Sequence, residues 1–98
     1  MLKCVRIVIS YGKNISHHNK TLFSHIQNNA QSFSIEGSLQ QPYNDDKSEI
    51  NIIACGSKTN IDNFMDTLYK ELPNDEYHLE IEPFIKEKDY RGVFRVII

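Results

Sequence analysis

The side chains best suited to chemistry gather in one polar stretch. Ser16, His17, His18, Asn19 and Lys20 follow one another just before a helical run of apolar residues. The first turn of a helix offers backbone N–H groups without intrahelical partners, and its dipole favours negative charge there. Histidine and lysine side chains would add donors to such a cradle. The matching ligand is a small phosphate-bearing anion; the plainer alternative is an ordinary polar connection. His17, His18 and His25 also raise a metal site. Only these three candidates cluster, and no Cys or carboxylate lies at ligand spacing. A solvated histidine pair and a helix-surface histidine account for them more simply, so neither a metal nor any other cofactor is expected.

Two other constellations lead elsewhere. Glu80, Glu82, Glu87 and Asp89 form an acidic stretch. Paired carboxylates serve as general acids and bases, but alternation along a strand describes one solvated face. The run Tyr90-Arg91-Gly92-Val93-Phe94-Arg95-Val96 has a loose likeness to the glycine-aromatic motif of RNA-recognition domains. That motif belongs on a third strand, and the third strand here carries no aromatic stacker.

Bulk properties narrow the class further. The chain has 98 residues, 40% hydrophobic and 24% charged, with a net charge of −2. One core and one domain spanning 1–98 are expected at this length. The near-neutral charge argues against nucleic acid or an anionic membrane as partner. Oligomeric state is left open. Cys4 and Cys55 each lie in an apolar strand-like run. Two buried thiols in a reducing compartment are expected, with a bond geometrically open if the two strands are neighbours. The first 20 residues lack an uninterrupted apolar region and a small-residue cleavage site. Apolar runs fall far short of the ~18–20 residues that span a bilayer. A cytoplasmic location is expected.

The elements that must position these groups follow from periodicity. Alternation predicts a central strand over 2–10, with Val5, Ile7 and Ile9 on one face. Residues 11–21 read as a loop. Leu22, Phe23, Ile26, Ala30 and Phe33 predict a helix over about 21–31. Strands follow over 33–39 and 50–55, separated by a turn cluster at 41–46, with Gly56 ending the second. Ile61, Phe64, Met65, Leu68 and Leu72 mark a second helix, capped by Thr59 or Asn60, with Asp62 complementing the dipole and Pro73 ending it. Tyr77–Glu82 is a half-buried strand, Lys86–Arg91 a loop, and Val93–Ile98 a last strand. The order is two split β-α-β units. The expected fold is therefore α+β: a ferredoxin-like βαββαβ sandwich with a short terminal strand, an antiparallel sheet and both helices on one face.

At this point the chain resembles the acylphosphatase family over nearly its whole length. The matching pieces are Cys4–Ser10, Gly37-Ser38-Leu39-Gln40-Gln41, Ile50–Gly56, the helix from Ile61, and Gly92-Val93-Phe94-Arg95-Val96-Ile97; Ala30 matches a buried helix alanine. That family carries V-Q-G-V-x-F-R before its first helix and G-W-V-x-N on its second strand. The resemblance implies hydrolysis of acyl phosphates, which are carboxyl-phosphate anhydrides. Loop N–H groups hold the phosphate, the arginine clamps it with two parallel bonds, and the asparagine positions a water.

Carried over residue by residue, the arginine position falls on Phe23 when the helix and Gly37 are the anchors. Anchoring on Gly12 without gaps puts it on Lys20 and leaves three extra residues before Gly37. The first alignment is preferred because it keeps the apolar register of the helix. The asparagine position holds Gln41, and Ser16–Asn19 replace the loop glycines. The three arginines are Arg6, Arg91 and Arg95, and none lies in the cradle loop. Loss of an anion clamp costs about 10²–10³ in rate, and a displacement near 1 Å about 10². The expectation is an acylphosphatase-like protein with weak or lost hydrolysis, in which Lys20 would clamp and Gln41 would orient water. The alternative is a non-catalytic anion-binding or protein-interaction module on the same fold.

Overall fold

The computed structural model describes residues 2–11, 19–40, 49–72, 77–83 and 92–97, and the side chains of these apart from 2 and 19–21. Seven elements follow in chain order: β1 (Leu2–Tyr11), α1 (Asn19–Ser32), β2 (Glu36–Gln40), β3 (Glu49–Ser57), α2 (Lys58–Glu71), β4 (Tyr77–Pro83) and β5 (Phe94–Ile97). They form one five-stranded sheet in the order β4-β1-β3-β2-β5.

The pattern of two in β1 settles which face is covered. Val5, Ile7, Ile9 and Tyr11 are buried, whereas Cys4, Val8 and Ser10 are half-buried and Arg6 is exposed. β3 answers with Ile50, Ile52 and Ala54, and β2 with Leu39. These residues join Phe23, Ile26 and Ala30 of α1, and Ile61, Phe64, Met65 and Leu68 of α2, in one core cluster. Phe94 of β5 closes it, its ring edge-on to Phe64 at 6.4 Å. No helix among the described residues is long and apolar enough to cross a membrane.

Sheet direction departs from expectation. β1 is antiparallel to both β3 and β4, and β2 to β3, but β5 runs parallel to β2. The sheet is mixed rather than antiparallel. The reason is where β4 stops: it ends at the end of the sheet where β2 begins. The chain has only to cross that end, about four strand spacings or ~19 Å, which residues 84–93 can bridge with a reach of about 33 Å. Starting there, β5 must run alongside β2.

Both helix boundaries move outward for local reasons. α1 begins at Asn19, so Asn19 and Lys20 lie in its first turn rather than in the loop. It ends in a Schellman motif: Ile35 N–H donates to Ala30 O (2.8 Å) and Ser34 N–H to Gln31 O (3.1 Å), with Ser34 left-handed at φ 57°. This turn uses up residues 33–35, which is why β2 starts at Glu36 and not at Phe33. α2 is capped by Ser57, whose hydroxyl accepts from Asn60 N–H at 3.1 Å, and not by Thr59 or Asn60. The helix thereby starts earlier, and Asp62 falls beyond its first turn. β3 runs through Gly56 into that cap instead of stopping there. At the other end Leu72 is extended (φ −99°, ψ 115°), as a residue preceding proline prefers.

Gly37 marks the tightest approach in the sheet. Its φ is 143°, and a Cβ there would lie against the Ile53 carbonyl oxygen. Only glycine fits this position between β2 and β3.

Candidate functional site

Chain direction brings the candidate residues to one end of the sheet. β1 leaves the sheet at Tyr11 and α1 begins at Asn19. β2 runs parallel to β1, so its last residue, Gln40, is at the same end, two strands away. Gln41 follows it directly in the chain. Ser16, His17, His18 and Gln41 lie outside the described residues, as do the side chains of Asn19 and Lys20. What the backbone establishes is that the N-terminal turn of α1 holds Asn19 and Lys20, whose N–H groups have no intrahelical acceptor.

Phe23 is the sequence-predicted residue with the most definite environment. It is 4% exposed and packs in the core with Ile26 and Ala30, one helical face at spacings of three and four. A side chain at this position cannot reach an anion at the helix start without leaving the core.

The described arginines are elsewhere. Arg6 lies on the uncovered face of the sheet, where Nη1 is 3.4 Å from Glu82 Oε1. It is five residues back from Tyr11 along β1, about 16 Å at strand rise. Register places Glu82, Arg6, Ile53, Ser38 and Arg95 in one row across that face. Glu80 is on the same face, 3.5 Å from His78 Nε2, and both are well exposed. Glu87 and Asp89 lie outside the described residues. Phe94 is buried rather than laid on the sheet surface, so it offers no stacking platform.

His25 finds a partner that one-dimensional reasoning missed. Its Nε2 is 2.6 Å from Glu71 Oε2, and Asn29 Nδ2 donates to the same oxygen at 2.8 Å. The trio ties α1 to the end of α2. Positions 25 and 29 share a helix face, which was legible; Glu71 as their neighbour was not. Among the described residues no three His, Cys, Asp or Glu side chains come together as a metal site.

Cys4 and Cys55 are bonded, against the expectation of two thiols. They are directly opposite in the β1–β3 register, with Cα atoms 4.1 Å apart. Cross-strand partners at such a distance have their side chains on one face and close together. The bond is at the end of the sheet opposite to Asn19 and Gln40.

Solved structures share this architecture. An acylphosphatase from Coxiella burnetii superposes with TM-score 0.73 at 18% identity, over 98% of this chain and 93% of that one. An acylphosphatase from Bacillus subtilis gives 0.65 at 16% identity, over the whole of both. A bacterial light-regulated adenylyl cyclase gives 0.65 at 18% identity, over 99% of this chain but 28% of that one. No family model matches the chain, and no curated relative matches its sequence. The fold is acylphosphatase-like. Identities this low establish the fold alone, and a fold hosts more than one chemistry.

Proposed function

We propose that the chain is an acylphosphatase-like protein that retains an anion cradle at the start of α1, with acyl-phosphate hydrolysis weak or lost. The observation that carries this is the burial of Phe23 at the preferred arginine position. A ring in the core supplies neither charge nor a fork of donors. Lys20 lies in the first turn of α1 and would supply the charge there, a point charge where a planar clamp is needed. Residues 12–18 would form the phosphate-binding loop, with Ser16, His17, His18 and Asn19 around a small phosphate-bearing ligand, and Gln41 would orient any attacking water. The same burial favours the second reading, a non-catalytic anion-binding module.

The proposal includes one ferredoxin-like domain over 1–98 with both helices above the buried face. The single core cluster supports it, since residues of both helices meet those of one sheet face. Nucleic acid and membranes are not among the proposed partners. Cytoplasmic residence belongs to the proposal only for a reduced form, because structural disulfides persist in oxidising compartments. Alkylation in freshly lysed cells decides: two labelled cysteines support the cytoplasm, and none opposes it.

Benzoyl-phosphate hydrolysis tests the activity, with Lys20→Ala alongside. The expected turnover is at least about 10²-fold below that of an arginine-bearing acylphosphatase, and turnover of equal size would overturn the proposal. Phosphate titration by NMR tests the cradle. Amide shifts at residues 19–22 are expected, and their absence would remove the anion site.

A further inference from the structure

β1 is supported unevenly along its length. Among the described residues, β3 pairs with it from Leu2 to Ser10, but β4 only from Val5 to Tyr11. Residues 2–4 therefore have a described strand on one side alone. Burial begins at the same point: Lys3 is exposed, Cys4 half-buried and Val5 buried. Singly paired backbone with few buried apolar contacts opens locally at low cost. The facing end of β3 is fastened independently of β1. Cys55 also pairs with Glu36 of β2, a Cβ on Gly56 would meet Ile35 Cδ1 at 3.1 Å, and Ser57 caps α2. The Cys4–Cys55 bond joins the weakly held segment to this fastened one.

We propose that the bond is a reversible redox clasp on the start of β1. Oxidised, it holds residues 2–4 on β3. Reduced, it lets them detach while the rest of the sheet stays assembled. The reductant is a dithiol. Its thiolate attacks Sγ of Cys4, because Cys55 is 0% exposed and Cys4 is half-buried. A mixed disulfide forms at Cys4 as the Cys4–Cys55 bond breaks. The electron pair leaves on Cys55 as a thiolate, which takes up a proton. The second thiol of the reductant then closes its own disulfide and releases Cys4 as a thiol. Two electrons and two protons pass from reductant to protein. Detachment follows because the few ladder bonds of residues 2–4 are offset by the backbone entropy those residues regain. β3 stays in place, since Cys55 keeps its partner on β2. The chain has two cysteines, so the bond opens and closes without rearranging. Residues 5–10 are paired on both sides and keep β1 in register. Cys4 therefore returns opposite Cys55 when a small disulfide oxidises the pair.

Backbone NMR relaxation reads the clasp in the oxidised chain and again after dithiothreitol is added without denaturant. Order parameters at Lys3 and Cys4 should fall from about 0.85 to below about 0.6, while residues 6–10 and 50–54 keep the higher value. Cys4→Ser cannot form the bond and should show the reduced pattern with no reductant present. Oxidised glutathione should return the reduced wild type to its first pattern. A short pulse of reduced glutathione, quenched with acid, should leave its adduct on Cys4. Order at Lys3 and Cys4 that survives reduction overturns the proposal. So does a loss of order through the whole of β1 and β3. A bond that dithiothreitol does not open in the folded protein, or that oxidised glutathione does not restore, overturns it as well. An adduct on Cys55 overturns the assigned point of attack.

Discussion

Ser34 holds a backbone conformation that side chains with a Cβ resist. It is the left-handed residue of the Schellman turn after α1, at φ 57°, where glycine is usual. Ser34→Gly should therefore stabilise the protein by about 0.5–1 kcal/mol, read as a shift in urea midpoint without a change in m-value. A destabilised variant would mean that the serine side chain contributes more than its strain. Phe23 poses the opposite question. As a core residue, Phe23→Ala should cost about 3–4 kcal/mol of stability. Phosphate affinity of the folded fraction should not change, because the ring is buried in the core. An affinity loss without a stability loss would return position 23 to the anion site. Residue type hinted at both outcomes, but only position in the fold distinguishes a buried phenylalanine from one replacing a catalytic arginine.

Among the elements, β1 and β3 are joined twice, by their ladder and by the Cys4–Cys55 bond. The bond spans a sequence separation of 51 residues. Removing a cross-link of that span restores loop entropy to the unfolded chain, and Cys4→Ser should lower stability by about 2–4 kcal/mol. Denaturant melts with and without a thiol reductant check this; coincident curves would show that the bond contributes nothing. Most element positions were legible beforehand. Val5, Ile7 and Ile9 announce β1, and the spacing of Ile61, Phe64, Met65 and Leu68 announces α2, because alternation and 3.6-residue repeats are local signals. The boundaries were less so. Gly56 looks like the end of a strand, yet β3 runs on to Ser57, which is also the cap of α2, and Phe33 fits the apolar stripe of α1 while opening its terminating turn. Caps depend on backbone geometry over three or four residues, which periodicity does not resolve.

At the scale of the whole molecule, the buried face and the open face divide the labour. The buried face carries the core. The open face carries Arg6, Glu80 and Glu82, with Gln40 in the same cross-strand row as Glu80. If the cradle at the start of α1 binds phosphate, then about tenfold its Kd should stabilise the fold by about 1.4 kcal/mol and raise Tm by several degrees. A flat Tm across that range would argue against the site. The candidate site was legible only as a cluster of donors before a helix. That Gln40 and the start of α1 share one end of the sheet depended on β1 and β2 running the same way with β3 between them. The residues by themselves determined the succession of strands and helices, since each depends on neighbours within a few positions. They also determined that no arginine lies in the loop between β1 and α1. Only the tertiary structure decided the direction of β5, the bonding of Cys4 to Cys55, the tie between His25 and Glu71, and the inward placement of Phe23. Each of these depends on which distant residues become neighbours, and that is set by packing the whole chain around one core.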